Sequence, residues 1–335
     1  MEKQEFYFQW HINNNCNLRC KHCYQDDYGF NSLDFGSLLY VKNEISKTLS
    51  KWNMLGRISL TGGEPFLNPY LFPLLDELEK DENVVEIGIL TNGTIISTDI
   101  VESLKKYSKL REVQISLDGA TKATHEKTRG PNTFDKSVEA IKMLRAAKIN
   151  VAVMFTLTKV NMHEAVDMIS FSESIGVNAL TIERVTPCGH TNKSDILTKE
   201  ELKSVYCKIT EISNTLKSNL RIRRSRSLWV LTQEYCKDDK VVLGGFCPVG
   251  FTALTIMPDA TVLPCRRLNV PIGNLLKEGL FSIWYGSELL WKIRDKNNLK
   301  GKCHNCKNIA MCGGCRAVAY ELTGDCMGED VQCWM

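Results

Sequence analysis

The sequence predicts an α/β chain, a partial (β/α)6 TIM-like barrel followed by a small, metal-stapled C-terminal domain. Three observations carry this. Strand-like apolar runs alternate with helix-like segments from the N-terminus to about residue 185. Polar and glycine-rich motifs fall just after consecutive strands, where the C-terminal mouth of a barrel lies. Beyond Cys247 the texture changes to short runs with Gly, Pro and Cys, a core too thin to stand without staples.

The strands are expected at 6–12, 57–61, 85–91, 112–117, 150–157 and 179–184. Helices fit between them, near 34–52, 69–81, 98–108, 133–147 and 161–176. Repeated βα units imply a parallel sheet. Periodicity alone fits an open doubly wound sheet equally well, and the placement of the motifs decides for the barrel. Residues 198–217 read as a further helix, followed by Arg221, Arg223, Arg224 and Arg226. That stretch reads as a solvated helix end, with contact to an acidic substrate segment as the alternative. The expected division is a barrel over 1–220 and a cluster-bearing unit with its bridging region over 221–335. There are no internal repeats.

At 335 residues the chain can bury a substantial core. No run approaches the ~18 apolar residues of a membrane span, and MEKQEFYFQW lacks a basic-then-apolar export pattern. A formal charge of +3 is too small to argue for nucleic acid. A cytoplasmic protein is therefore expected, with neither membrane nor nucleic acid as partner. Fourteen cysteines are anomalous there, because the cytosol keeps thiols reduced. Cys16, Cys20 and Cys23 form one group and eight more lie between Cys247 and Cys333, so metal is expected at more than one site.

Cys16-Asn-Leu-Arg-Cys20-Lys-His-Cys23-Tyr24 follows the first strand. Three thiolates at this spacing can hold three corners of a cubane, and a fully ligated cluster would want a fourth cysteine. A vacant corner suits a catalytic metal site. Structural zinc with a distant fourth ligand, His22 among the candidates, remains the alternative on spacing alone. The spacing and the aromatic residue after the third cysteine closely resemble the radical S-adenosylmethionine (radical SAM) signature. The resemblance implies that Cys16, Cys20 and Cys23 ligate a [4Fe–4S] cluster whose open iron is chelated by SAM. It further implies a 5′-deoxyadenosyl radical that abstracts hydrogen from substrate, with Tyr24 packed near the adenine.

Thr61-Gly62-Gly63-Glu64-Pro65 ends the second strand. Glycines admit close backbone approach, and a carboxylate can pair with an ammonium. The motif matches the family's GGEP turn, which implies contact with the SAM amino group by Gly62, Gly63 and Glu64. Asn92 ends strand three, and Ser116 and Asp118 end strand four, where they could face a ribose. Arg129 resembles the arginine that often meets the SAM carboxylate, with a surface arginine as the plain alternative. Strand five ends around Thr156, whose role is open.

The run Cys303-x2-Cys306-x5-Cys312-x2-Cys315, then Cys326 and Cys333, would by itself fit a zinc ribbon. With Cys247 and Cys265 upstream, and Gly273-Asn274 and Thr323-Gly-Asp325 around it, the frame resembles the SPASM domain of radical SAM peptide-modifying enzymes. That resemblance implies auxiliary cluster I on Cys247, Cys265 and Cys315, and auxiliary cluster II on Cys303, Cys306, Cys312 and Cys333. Three [4Fe–4S] clusters are thus expected. Two departures are the x2 gap after Cys312 and Ala260 where Gly is usual. The fourth ligand of cluster I is open: Cys326, Cys236 or none. Cys207 reads as core. No catalytic side chain is assigned, and Cys188 and Cys326 are the candidates.

Three functions compete. The first is a maturase that leaves a crosslink, an epimer or an oxidised residue on a ribosomal peptide. The second is an oxidoreductase acting on a small molecule or tetrapyrrole, and the third is a zinc-binding interaction protein. The open three-cysteine site and the strand-end motifs disfavour the third. Sulfatase maturases usually place an Asp base where Arg266 follows Cys265, which weakens that specific reading. The expected partners are the peptide, with a separate recognition protein where one is needed, and a flavodoxin- or ferredoxin-type electron donor.

Overall fold

The computed structural model describes residues 3–29, 32–224, 227–235 and 247–335; the expectations for Arg226 and Cys236 lie outside these. Seven parallel strands follow one another: β1 (Glu5–His11), β2 (Leu55–Thr61), β3 (Val84–Thr91), β4 (Leu110–Ser116), β5 (Val151–Leu157), β6 (Ala179–Arg184) and β7 (Arg221–Arg223). Three more come from the C-terminal unit: β8 (Ala253–Ile256), β9 (Thr261–Leu263) and β10 (Gly273–Asn274). All belong to one unclosed sheet in the order β10-β9-β8-β1-β2-β3-β4-β5-β6-β7, a partial barrel.

Strand faces follow the period-two pattern. In β1, Phe6, Phe8 and Trp10 are buried in the main core, whereas Tyr7 and Gln9 are only half-buried and face an internal cleft. The helices α1 (Phe35–Trp52), α2 (Leu71–Lys80) and α3 (Thr98–Leu104) connect the first strands. α1 starts where Asp34 accepts from the Ser37 amide at 2.7 Å, and ends at Asn53 in the left-handed region. It buries Leu38, Val41, Ile45 and Leu49, spaced three and four apart. α4 (Lys122–Arg129), α5 (Phe134–Ala146), α6 (Asp167–Ser174) and α7 (Lys199–Thr215) complete the barrel's helices. A reciprocal capping box between Thr198 and Glu201 opens α7.

Four details differ from the sequence reading. α3 is shorter than 98–108, ending at Leu104. α4 was not expected, although its caps are plain: Thr121 accepts from the Thr124 amide, and Gly130 ends the helix with φ 98°. The helix expected over 161–176 splits into a 3-10 turn, Met162–Glu164, and α6. The basic stretch holds an edge strand rather than a helix end. Arg223 in β7 pairs with Glu112, its Nη1 donating at 2.7 Å.

β8 pairs in parallel with β1, Tyr7 opposite Ala253 and Trp10 opposite Ile256, so the sheet is continuous from the barrel into the C-terminal unit. The hairpin to β9 turns through Ala260, whose φ of 65° is the left-handed conformation that makes glycine usual there. Helices α8 (Leu280–Gly286), α9 (Glu288–Arg294) and α10 (Arg316–Thr323) follow. A second, small apolar cluster includes Val249, Leu268, Ile293, Leu299, Ala317 and Met327, with Cys247, Cys265, Cys303, Cys315 and Cys326 against it. Among the described residues, no helix is long and apolar enough to cross a membrane.

Candidate active site

The loop after β1 carries Cys16, Cys20 and Cys23, and it lies directly on the turn after β2. The Gly63 amide donates to Asn13 O at 2.9 Å and the Glu64 amide to Asn15 O at 2.7 Å, while Asn13 Nδ2 donates back to Glu64 O at 2.9 Å. A Cβ on Gly62 would sit 2.4 Å from Asn13 O, and one on Gly63 would sit 2.3 Å from Asn15 O. The glycines are thus required by the crossing of the cysteine loop, before any ligand is considered. The loop's other end rests on the segment after β6. His190 donates its amide to Cys23 O at 2.8 Å, and Gly189, at φ 59°, has room for no Cβ because Cys23 O would be 2.4 Å away.

Glu64 is fully buried, and its carboxylate accepts from Thr91 Oγ1 at 2.8 Å, the Asn92 amide at 2.9 Å and the Phe66 amide at 3.2 Å. Burial pushes its pKa up to about 7 against these donors. Its side chain therefore fixes the end of β3 from beneath. Asp118 is likewise buried, accepting from Arg129 Nε at 2.6 Å and the Thr156 amide at 2.8 Å, with His22 Nε2 at 3.1 Å. Burial raises its pKa, but Arg129 and His22 outweigh that and hold it well below the usual carboxylate range. Arg129 Nη1 reaches Cys20 Sγ at 3.7 Å. His22, an alternative zinc ligand on spacing, is thus engaged with Asp118.

These elements wall a cleft that is open at the barrel mouth and extends inside to Gln9, Gln114 and Met154. Cys16, Cys20, Cys23, Tyr24, Gly62, Gly63, Asn92, Ser116 and Arg129 line it, as does Thr156. Glu64 and Asp118 stand behind the wall. Cys188 also lines it, with burial pushing its thiol up to about 12. Cys265, Arg266 and Arg267 form the far wall. In the sequence Arg266 stands out only as a departure from the usual Asp, and Arg267 belongs to no motif. The signal for both is nearness to Cys265, one residue away for Arg266 and two for Arg267.

Cys247, Cys265 and Cys315 line a second pocket, next to Arg184 and Arg267. Cys303, Cys306, Cys312 and Cys333 line a third, rimmed by Lys302 and Lys307. Cys326 lines none of the three. Cys207 is buried on α7. Among the described residues no cysteine forms a disulfide. Among the described residues no three of His, Cys, Asp or Glu gather as the ligands of one metal ion would. In a cubane each thiolate meets a different iron, and the pocketed, all-sulfur donor sets fit such a group. Arg267 lies between cleft and second pocket, 3.6 Å from Glu183. Burial lowers its pKa, but the Cys315 thiolate, Glu183 and Cys265 raise it on balance.

Comparison with known proteins agrees. Residues 10–172 match the model of the radical SAM superfamily, and residues 247–307 match SPASM, an iron-sulfur cluster-binding domain. Clusters of the [4Fe–4S] type and SAM are the cofactors these domains imply. An AdoMet-dependent heme synthase of Methanosarcina barkeri is 29% identical, covering 97% of this chain and 95% of that protein. A PqqA peptide cyclase of Bradyrhizobium diazoefficiens is 26% identical, covering 96% and 84%. In fold, the chain resembles Streptococcus suis SuiB bound to S-adenosylmethionine, with a TM-score of 0.79, 17% identity, and 99% of this chain and 78% of that one covered.

Proposed function

Since the chain is a radical SAM enzyme with a C-terminal SPASM domain, we propose that it removes hydrogen from a ribosomally made peptide and leaves it crosslinked, epimerised or oxidised. One observation carries the reading: Cys16, Cys20, Cys23 and Cys265 line the same cleft, so a substrate held there touches a radical-forming site and an auxiliary site. When bound, SAM and the clusters supply a hydrogen-abstracting radical and an acceptor for the substrate's electron.

The rest falls to this chain's own residues. Cys16, Cys20 and Cys23 hold three corners and leave the fourth open. Tyr24, Gly62, Gly63, Asn92 and Ser116 form the walls for SAM. Asp118 holds Arg129 and His22 against the cysteine loop, and Glu64 holds Asn92 in place. Cys247, Cys265 and Cys315 serve cluster I, and Cys303, Cys306, Cys312 and Cys333 serve cluster II. The cytoplasm, with a flavodoxin- or ferredoxin-type donor, suits thiolates that must stay reduced.

Full-length similarity to a peptide cyclase supports the peptide. A tetrapyrrole is the second reading, favoured by the 29% identity to a heme synthase over nearly the whole chain. The test is anaerobic incubation with SAM, reductant and either a precursor peptide encoded beside the gene or a porphyrin, followed by mass spectrometry. Loss of two hydrogens from the peptide, or deuterium transfer from labelled peptide into 5′-deoxyadenosine, supports the first reading. Deoxyadenosine formation stimulated by the porphyrin alone overturns it.

A further inference from the structure

We propose that Arg266 binds a carboxylate group of the substrate, holding it in the cleft between the cysteine loop and the Cys265 pocket. The inference rests on the reading of that cleft as the substrate site. Arg266 is 7% exposed and lines the cleft. Its guanidinium lies 4.4 Å from the centre of the Tyr24 ring, and Nη2 donates to Tyr24 O at 3.1 Å. Nε is enclosed and has no hydrogen-bond partner among the described residues.

The other arginines of the cleft are occupied. Arg129 pairs with Asp118, Arg184 with Asp330 and Arg267 with Glu183. Among the described residues no acidic side chain pairs with Arg266. A guanidinium does not lose its proton, so burial leaves a charge in want of a partner. A carboxylate fits that want, because its one negative charge balances the one positive. A phosphate dianion would need a second free cation, and Arg267 is engaged. Stacking on Tyr24 fixes the plane of the fork. Tyr24 follows Cys23 and Arg266 follows Cys265, so a carboxylate held here sets the neighbouring C–H bonds between the two thiolate sites.

The carboxylate has two available sources, an acidic residue or C-terminus of a peptide and an acid arm of a tetrapyrrole. The test uses the reconstituted holoenzyme with SAM and two probe pairs. One is acetyl-Gly-Glu-Gly-amide against its Gln counterpart; the other is mesoporphyrin against its dimethyl ester. In one pair the acid is expected to bind at least tenfold more tightly than its neutral partner, and that pair names the source. Arg266→Gln should abolish the preference, and Arg266→Lys should retain part of it, both with unchanged iron content and SAM affinity. If Arg266→Gln loses iron, the Lys variant carries the test through its reduced preference. Equal binding within both pairs, or a preference that survives Arg266→Gln, overturns the assignment. So does a loss of SAM affinity in both variants, since Arg266 would then hold SAM. Iron content and SAM cleavage in the wild type test the underlying reading separately.

Discussion

Arg184, the last residue of β6, and Asp330, near the C-terminus, form an ion pair buried from solvent across the junction of barrel and cluster unit. Arg184 Nη1 donates to Asp330 Oδ1 at 2.9 Å and to Gln332 Oε1 at 2.8 Å, and Nη2 contacts Asp330 Oδ2. The same carboxylate accepts from the Cys315 amide at 2.8 Å. One side chain thus anchors a strand end, Cys315 and the segment leading to Cys333.

Removing one partner strands the other. Asp330→Ala leaves the Arg184 charge buried and unpaired, a loss of about 3–5 kcal/mol. We expect a clear fall in Tm and loss of auxiliary iron, with iron on Cys16, Cys20 and Cys23 retained. Iron analysis with a thermal melt checks both. An undiminished iron content would mean that the pocket cysteines hold their places unaided.

The count of clusters is tested at the other end of the chain. Reconstituted protein should hold about twelve irons, four for each of three cubanes. The triple Cys16/Cys20/Cys23→Ala variant should keep about eight and lose SAM cleavage. Zinc in place of iron, or cleavage that persists, refutes the assignment.

Gly189→Ala should act on the same cluster without touching a ligand. Its Cβ would meet Cys23 O at 2.4 Å from a left-handed backbone, so the loop must shift. Selective loss of about four irons, seen together with normal auxiliary spectra, is the expected outcome. A full complement would show that the loop yields at little expense.

Glu64 gives a pH signature. Its pKa rises on folding from 4.5 to about 7, so between these values the folded chain holds the extra proton. Its stabilising contribution is therefore complete below pH 4.5 and is lost as pH rises through 7. The loss is on the order of 3 kcal/mol. Melts of the SAM-free holoprotein from pH 5.5 to 8 should show wild-type stability declining relative to Glu64→Gln. Parallel profiles would mean that Glu64 stays ionised across the range.

Much of this was legible because strand ends and cysteine spacing are local signals. β6 falls where its apolar run lies, and the other early strands shift by only one or two residues. What was hidden was relational. Glu64 reads as a carboxylate free to meet an ammonium, and only the fold shows Thr91, Asn92 and Phe66 around it. Asp118 and Arg129 read as separate ligand contacts, yet they lie 2.6 Å apart and engage each other. α4 is hidden because Thr121 and Gly130, which cap it, flank a segment with little apolar periodicity.

The parallel pairing of β8 with β1 bears on what can be cut away. Tyr7 through Trp10 share their outer edge with Ala253–Ile256. A chain truncated ahead of the cluster unit would expose that edge, a row of unsatisfied amides and carbonyls beside buried aromatic rings. Such an edge is a template for strand addition from another molecule. The isolated barrel should therefore self-associate into insoluble material, whereas the whole chain carries its own protective strand.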